Sequence, residues 1–406
     1  MSKRSQKWRC LLVSILLMIG LLATHFSSAS TDTLQYRDQT LTVQGDTRTV
    51  RIPVGYTLEV LTTELKSPRM ITFAQNGDLF IGSRRAVYRL PAPYTQPEVL
   101  VALRDYPHSV AFREGEILIA MIDGVYHAPY QLGRGRLSKS SLELLAELPA
   151  GRGHSSRTVA VGPDGRVYVS LGIAGNCSNQ YLDESYSFDE RRGGVLVLNE
   201  DGAKPRWETF ASGLRNPVGF DWHPDTGVLY ASNNGPDHLG FDMPPEYFSR
   251  LHAGSFHGMP WFQYDGENIK RDPCISTTPP RPVADVLQPV ATFPARNAPL
   301  GMAFVPSGGM DSRLVGDAIV ALHGSWATSP QGNRAGDSAT RRHPKVVVVR
   351  FENGNAQRVD DLITGFQAQD GSRWGRPAGV RVGPDGALYF TSDAGVEGLF
   401  RLRPTQ

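Results

Sequence analysis

The stretch SSRTVAVGPDGRVYVSLG at residues 155–172 sets the pattern of this 406-residue chain, because five related copies accompany it. In each copy a Pro- or Ser-led segment leads into an alternating apolar run, and a turn and a second strand usually follow. The other copies are SPRMITFAQNGDLFIGS (67–83), YPHSVAFREGEILIAM (106–121), NPVGFDWHPDTGVLYASN (216–233), APLGMAFVPS with DAIVALHGSW (298–326) and RPAGVRVGPDGALYFTSD (376–393). A unit repeated in this way cannot bury its apolar face alone and must pack on its neighbours. The sequence therefore predicts an all-β fold, a six-bladed β-propeller.

The apolar residues within each copy alternate with polar ones, as in a half-buried strand. Pro-Asp-Gly at 163–165 and 384–386 supplies the turn between two such strands. We expect residues 31–406 to form a single propeller domain. The short strand-like piece at 31–52 is a candidate for the strand that closes the last blade.

The N-terminal 30 residues resemble a secretory signal peptide. A basic segment with Lys3, Arg4, Lys7 and Arg9 precedes the apolar run at 11–23, and small residues follow it. A membrane anchor is the alternative, but the apolar run is short for a bilayer span. We therefore expect cleavage, a periplasmic or secreted protein, and no stable membrane insertion afterwards.

The charge balance excludes some partners. The chain has 42 basic and 40 acidic residues, and the leader holds four of the basic ones and no acidic ones. The mature chain is therefore close to neutral, and nothing in it indicates nucleic acid or an anionic membrane. Cys177 and Cys274 remain after cleavage; in an exported protein they can pair, but the sequence does not show their distance.

Two inserts break the even spacing of the repeats, at 173–194 and 234–290. Long loops in compact domains usually have a function, so both are predicted to form a rim over the central channel. Disordered excursions are the alternative, although the second insert is too aromatic for that.

Cationic and hydrogen-bonding side chains cluster where the first strand of each repeat begins. Such strand starts meet around one end of a propeller's channel. The side chains could simply face channel water, or they could form a positive well for an anionic ligand. Because closely spaced guanidinium groups repel one another without a counter-charge, the second interpretation is favoured. The residues concerned are Arg69, His108, His154, Arg157, Arg215 and Arg376.

Five motifs of the sequence resemble those of the glucose/sorbosone dehydrogenase family. They are GHSSRTVAVGPDGRVYVSLG (153–172), GLRNPVGFDWHP (213–224), NNGPDHLGFDMPPEYF (233–248), ALHGSW (321–326) and WGRPAGVRVGPDGALYFTSDAG (374–395). The resemblance runs from about residue 53 to the C-terminus. It implies a six-bladed propeller that uses pyrroloquinoline quinone (PQQ), a planar tricarboxylate, to oxidise a sugar hydroxyl or hydrated aldehyde, with an unidentified electron acceptor.

The resemblance also implies residue roles. His154 corresponds to the general base that takes the hydroxyl proton while a hydride moves to the quinone, and Arg215 to the residue beside the developing quinone oxyanion. Predicted cofactor contacts, partly from the resemblance and partly from the positive well, are Arg69, Arg157, Asn216, His323, Arg373 and Arg376.

The resemblance further implies a calcium site. The family binds calcium through carbonyls of a Gly-Pro pair, which Gly235-Pro236 matches, and Asp237, Asp242 and Glu246 are nearby oxygen donors. However, this chain has residues 246–249 EYFS where sorbosone-like members have Asp-Glu-Leu-Asn, and Met259 where they have Trp. The 173–194 insert also lacks their second Cys.

Two alternative functions stay open at this point. A calcium-dependent lactonase or esterase also uses a six-bladed propeller, but it requires acidic residues and Asn around the channel, where this chain has Arg and His. A non-catalytic propeller that binds a ligand or partner is the other, since one fold supports many functions.

Overall fold

The computed structural model describes residues 33–405, and the signal-peptide prediction for residues 1–30 lies outside them. The chain from Leu34 onward forms one compact unit. Six sheets share the repeat pattern, and each contains four antiparallel blade strands; the sheet of the third blade also has a short fifth strand that pairs in parallel. The prediction of an all-β, six-bladed propeller is confirmed.

The strands are numbered in chain order. They are β1 (Tyr36–Val43), β2 (Asp46–Pro53), β3 (Tyr56–Thr62), β4 (Pro68–Phe73), β5 (Leu79–Ser83), β6 (Ala86–Leu90), β7 (Glu98–Ala102), β8 (Ser109–Arg113), β9 (Glu116–Met121), β10 (Gly124–Pro129), β11 (Glu143–Glu147), β12 (Arg157–Val161), β13 (Val167–Leu171), β14 (Gly194–Asn199), β15 (Arg206–Ser212), β16 (Phe220–Trp222), β17 (Leu229–Asn233), β18 (Glu246–Leu251), β19 (Ser255–Phe256), β20 (Phe262–Tyr264), β21 (Ile269–Arg271), β22 (Ala291–Phe293), β23 (Pro299–Phe304), β24 (Ala318–Leu322), β25 (Lys345–Glu352), β26 (Asn355–Ile363), β27 (Gly375–Val382), β28 (Leu388–Gly395) and β29 (Gly398–Pro404). Short 3₁₀ turns lie at Lys139–Ser141, Phe188–Glu190, Val283–Asp285, Ser312–Leu314 and Ser338–Thr340.

The blades follow the repeats. Blades one to three are β4–β7, β8–β11 and β12–β15; blade four is β16, β17, β18 and β22; blade five is β23–β26. Blade six is β27, β28, β29 and β3, so a strand from the start of the chain closes the ring. The first strand of each blade is the innermost one.

The prediction for the closing strand was wrong in position. Residues 36–53 pair with each other as the β1–β2 hairpin, and the strand that pairs with β29 is Tyr56–Thr62. The hairpin packs its apolar side chains into the same core cluster as blades five and six, and Arg51 exchanges backbone hydrogen bonds with Thr364 at 3.1 Å. The strand β2 therefore has hydrogen bonds on both edges, to β1 along its length and to Thr364 at Arg51.

Hydroxyl side chains on the first or second strand of a blade donate to backbone carbonyls of the neighbouring blade. The pairs are Thr72 with the Val110 carbonyl (2.6 Å), Ser109 with Arg157 (2.9 Å), Thr158 with Val218 (2.5 Å), Ser232 with Leu300 (2.6 Å) and Thr391 with Arg69 (2.7 Å). Blades five and six approach each other through their backbones at Gly301. The approach is so close that a Cβ on Gly301 would lie 2.7 Å from the Ala378 oxygen. These bonds satisfy carbonyls that face the channel and fix the spacing of the blades.

The two predicted rim loops have different structures. Residues 173–194 are irregular apart from one 3₁₀ turn, whereas 234–290 contains β18, a blade strand, together with β19 and the β20–β21 hairpin. The second insert is therefore a rim only in part. A disulfide between Cys177 and Cys274 joins the two inserts, with 5.6 Å between the Cα atoms. Over residues 33–405 no helix has the length and apolar composition needed to cross a membrane.

Candidate active site

One end of the channel collects the residues that the repeats predicted. The inner strands begin there, and because the second strand of each blade runs antiparallel to the first, the second strands end there. Backbone conformation is unusual at this end. Ser67, Tyr106 and Ala298 each precede a proline and have φ of 46°, 54° and 51°. Non-glycine residues seldom take this left-handed conformation, and such strain is common at functional sites.

His154 lies at this end in the loop before β12, partly buried. Its Nδ1 contacts the backbone oxygen of Ile173. A carbonyl can only accept, so Nδ1 carries the proton and Nε2 carries the lone pair. Burial and the neighbouring Arg215 guanidinium lower the pKa of His154 to about 3, which keeps the ring neutral. The ring is therefore a neutral imidazole with an available acceptor nitrogen.

The backbone of His154 is fixed by two buried arginines. Arg157 Nη1 donates to the His154 carbonyl at 3.0 Å, and Arg192 Nη2 donates to the same oxygen at 2.7 Å. Arg157 is fully buried and also binds the Ser156 and Pro149 carbonyls at 2.8 and 2.9 Å. In this position its guanidinium holds the loop rather than facing a channel ligand, so the structure gives no support to Arg157 as a cofactor contact.

Asn216 and Gly172 complete this side of the site. The backbone N–H of Asn216 donates to Asn233 Oδ1 at 2.9 Å, and Asn216 is buried. Gly172 directly follows β13. A Cβ at this position would lie 2.5 Å from Asn216 Oδ1 and 2.7 Å from His154 Cβ. The close approach of the catalytic candidate to Asn216 therefore requires glycine at position 172.

Arg215 is held by the first rim loop. Its Nε and Nη2 donate to Asn176 Oδ1 at 3.1 and 2.9 Å, and Nη1 is 3.5 Å from the Asn234 carbonyl. Asn176 Nδ2 donates in turn to Asp237. Burial lowers the pKa of Arg215 to about 10, against the attraction of Glu246 and Asp237. The group stays charged at neutral pH beside His154.

The opposite side of the site is organised by Asp393, at the end of the second strand of blade six. Its carboxylate accepts from Arg69 Nη1 and, at 2.6 Å, from His323 Nε2. Burial opposes the charge of Asp393, but His323 and Arg69 outweigh it and hold the pKa well below its usual range. Burial lowers the pKa of His323 to about 4, so this histidine is a neutral donor to the carboxylate.

Arg376 and Arg373 approach the same cluster from the start of β27. Arg376 Nε and Nη2 donate to the carbonyls of His323 and Gly324 at 3.0 and 2.8 Å. Arg373 donates to Gln367 Oε1 at 2.7 Å and to the Arg342 carbonyl at 3.0 Å. Burial, with help from Arg376, lowers the pKa of Arg373 to about 10, and burial also lowers the pKa of Arg376.

His108 links the two sides. It is fully buried, its Nδ1 lies 3.0 Å from the Arg157 carbonyl, and its Nε2 has no hydrogen-bond partner among the described residues. Burial and the Arg69 charge lower its pKa well below the ordinary value. His108 therefore belongs to the floor of the site as a neutral ring.

The predicted metal ligands do not converge. Glu246 is buried and accepts from the Gly235 and Ala298 amides, the second at 3.4 Å. Asp237 accepts from Asn176 and from Trp326 Nε1 at 3.1 Å, while the exposed Asp242 pairs with Arg342 at 2.8 Å. Within residues 33–405, no three carboxylates bring their oxygens together. The structure therefore gives no support to one ion shared by Asp237, Asp242 and Glu246, and their role as metal ligands stays a prediction.

Sequence reasoning missed three residues of the site: Asn176, Asp393 and Arg296. Arg296 is buried and donates to the Pro244 carbonyl at 3.0 Å, while its Nε and Nη1 have no hydrogen-bond partner in the described part of the chain. Asp393 is the last residue of the sixth repeat, so a polar residue at the end of a second strand could have indicated its place in the site. Asn176 and Arg296 lie outside the repeats and gave none.

The fold and the site together define a six-bladed propeller with a cluster of basic side chains at one end of its channel. Residues 124–401 match the family described as glucose/sorbosone dehydrogenase, and the chain belongs to that family. The resemblance drawn from the motifs is confirmed.

Relatives of known sequence or structure are distant but cover nearly the whole chain. An uncharacterized protein of Borreliella burgdorferi is 26% identical over 373 residues, 88% of this chain and 91% of that protein. The calcium structure of a carbohydrate-active family AA12 protein of Trichoderma reesei has a TM-score of 0.73 at 18% identity, over 92% of this chain and 98% of that one. The holo PQQ domain of pyranose dehydrogenase from Coprinopsis cinerea has a TM-score of 0.69 at 20% identity, over 88% and 97%. The two structures support the propeller fold.

Proposed function

We propose that this protein is an exported, PQQ-dependent dehydrogenase that oxidises a hydroxyl or hydrated aldehyde of a sugar. Family membership and the holo PQQ domain among the similar structures support this proposal. The observation that carries it is a charge imbalance at the site end of the channel. Arg215, Arg373 and Arg376 are partly buried there, and their hydrogen-bond partners are neutral amide and carbonyl oxygens.

Partly buried guanidinium groups without carboxylate partners favour an anionic ligand. Removing such charges from water costs several kcal/mol per ion in proteins. Within residues 33–405, Arg69 forms a direct ion pair with Asp393, whereas carboxylates act on Arg215 and Arg376 only from a longer distance. Because Arg binds carboxylates through two parallel donors, a ligand with several carboxylates matches the set. PQQ has this chemistry, and Arg69, Arg373, Arg376, Asn216 and His323 would hold it.

Bound PQQ supplies a quinone that accepts a hydride. The protein's part is proton removal and orientation. His154 offers a neutral Nε2 with its lone pair available, and its Nδ1–H bond to Ile173 fixes the ring. We assign to His154 Nε2 the removal of the substrate hydroxyl proton. Arg215 places a cation near the His154 ring, and this cation would stabilise the negative charge that develops on oxygen as the proton leaves.

The proposal includes a calcium site. Its support is the calcium structure of the Trichoderma reesei protein and the Gly235-Pro236 pair of this chain. Glu246 shapes that pair by accepting from the Gly235 amide. We therefore assign calcium to the Gly235 and Pro236 carbonyls, and predict that Asp242→Asn, at an exposed ion pair, leaves calcium affinity unchanged.

Export is supported by the leader pattern and by the Cys177–Cys274 disulfide, since such bonds persist in oxidising compartments. Sequencing the N-terminus of the protein recovered outside the cytoplasm tests it. A start near residue 30 is expected; an intact Met1 contradicts cleavage.

The decisive experiment titrates metal-free protein with PQQ plus calcium, followed by the quinone absorbance, and then adds an aldose panel with an artificial electron acceptor. Stoichiometric binding and sugar-dependent bleaching are expected. Arg376→Gln should weaken PQQ binding, whereas Arg358→Gln, at an exposed pair with Asp360, should not. Absence of binding at micromolar PQQ would reject the proposal.

A further inference from the structure

The side chain of Asn176, in the rim loop at 173–194, contacts the Arg215 guanidinium. Asn176 Oδ1 accepts two hydrogen bonds from the Arg215 guanidinium, at 3.1 and 2.9 Å. The remaining contact of that guanidinium, with the Asn234 carbonyl, is long at 3.5 Å. Arg215 therefore depends on Asn176 for its orientation, because a long charged side chain has many rotamers to lose.

The amide of Asn176 is itself oriented. Its Nδ2 donates to Asp237 Oδ1, while Asp237 Oδ2 accepts from Trp326 Nε1 at 3.1 Å. A carboxylate can only accept, so the nitrogen of the amide must face Asp237 and the oxygen must face Arg215. This arrangement separates Arg215 from Asp237 and prevents the two from forming a direct ion pair.

The backbone at Asn176 is anchored by the disulfide that follows it. Cys177 is exposed and bonded to Cys274, whose Sγ lies 3.9 Å from the Asn176 carbonyl. The Cys274 amide donates to Asp272 Oδ1 at 2.9 Å, and the Asp272 amide donates to the carbonyl of Trp261 at 2.8 Å. Asp272 and Trp261 are buried. A continuous path thus joins the packed second insert to the tip of the first.

We propose that Asn176 is the positioning residue that holds the Arg215 guanidinium beside His154, and that the Cys177–Cys274 disulfide keeps Asn176 in place. The inference rests on the proposed function for its effect on turnover, but not for its structural content. Asn176 acts through Arg215 and touches no reacting atom.

The test compares Asn176→Ala with Asn179→Ala. Asn179 lies in the same insert and contacts Tyr186 and Thr277, both at 3.3 Å, rather than Arg215. We expect Asn176→Ala to lower kcat by on the order of 10²-fold, the cost of a misplaced group, with a much smaller change in KM. Asn179→Ala should keep wild-type values. A uniform rise in KM, or unchanged kcat, in Asn176→Ala would overturn the proposal.

A second readout needs no cofactor. The charged groups that act on His154 are Arg215, Arg192 and Asp237, so release of Arg215 should raise the pKa of the His154 ring. NMR titration of the cofactor-free protein should show this upward shift in Asn176→Ala and in Cys177→Ala/Cys274→Ala, but not in Asn179→Ala. An unchanged titration in Asn176→Ala contradicts the positioning role, and a shift there without one in the cysteine variant contradicts the role of the disulfide.

If the cysteine variant does not fold, the folded wild-type protein can be treated with dithiothreitol. This dithiol is oxidised to its cyclic disulfide while Cys177 and Cys274 become two thiols. The same His154 shift is expected after reduction, and its absence overturns the disulfide's role. Should the shift occur in a protein that oxidises no sugar with PQQ, the proposed function fails while the positioning role stands.

Discussion

His154 donates from Nδ1 to the backbone carbonyl of Ile173, which lies two residues beyond the second strand of the same blade. The bond determines which ring nitrogen keeps its lone pair, because a carbonyl can only accept. It also ties the loop before β12 to the first residues of the rim insert. Base orientation and rim position are therefore connected by this hydrogen bond, together with the bond from Arg192 to the His154 carbonyl.

Replacement of His154 by Ala should remove the base without removing the cofactor site. The predicted PQQ contacts Arg69, Arg373 and Arg376 lie on other blades, so PQQ affinity should stay within a few-fold of wild type. Turnover should fall about 10²–10⁴-fold, the usual contribution of a positioned base. Steady-state rates and the quinone absorbance titration measure the two effects, with the exposed His252→Ala as control. Wild-type turnover in His154→Ala would reject the assignment.

Substitution of Gly172 by Ala should disturb the site through contact alone. The added methyl would lie 2.5 Å from Asn216 Oδ1 and 2.7 Å from His154 Cβ, so one of them must move. A shift of this size should lower kcat/KM by on the order of 10²-fold. Gly175→Ala is the matched control, since its nearest neighbour would be Ser178 Oγ at an ordinary 3.5 Å. Equal activity of the two variants would show that residues 154 and 216 are not held as described.

Asp393→Asn should destabilise the protein as well as the site. Arg69 is buried, and Asp393 is its ion-pair partner. Removing one partner of a buried pair costs about 3–5 kcal/mol because a buried charge is left unpaired. Denaturant unfolding measures the loss, and Asp46→Asn is the control, since the exposed Asp46–Arg48 pair should contribute about 0–1 kcal/mol. If the two variants lose equal stability, Asp393 does not neutralise Arg69.

The repeats made the fold and half of the site predictable. Alternating strands fix which residues begin the inner strands, and Arg69, His154, Arg215 and Arg376 were found in this way. Asp393 was overlooked because the ends of the second strands were not compared, although antiparallel pairing brings them to the same channel end. The position alone does not give side-chain direction, which is why Arg157 was placed in the channel but binds backbone carbonyls instead.

The inserts were less predictable for a physical reason. Their residues have no register relative to a blade, so sequence distance does not indicate which side chain meets the site. Asn176 reaches Arg215, and Cys177 reaches Cys274, only through the folded path of both loops. Likewise, Asp237, Asp242 and Glu246 are close in sequence but have separate partners. Asp237 accepts from the Asn176 amide and the Trp326 indole, Asp242 pairs with Arg342, and Glu246 accepts from backbone amides.

Acid should destabilise the fold through histidines that cannot take a proton while buried. Burial lowers the pKa of His154 and His257 to about 3 and of His323 to about 4, whereas the pKa of an unfolded histidine is about 6.5. Between pH 6.5 and about 4 the unfolded chain therefore binds more protons than the native one, and the free energy of unfolding falls as the pH is lowered. Each such histidine contributes at most about 1.4 kcal/mol per pH unit. Urea unfolding of cofactor-free protein at several pH values measures the slope. His257→Gln should reduce the slope by about one histidine's share; a slope equal to that of the wild type would contradict the argument.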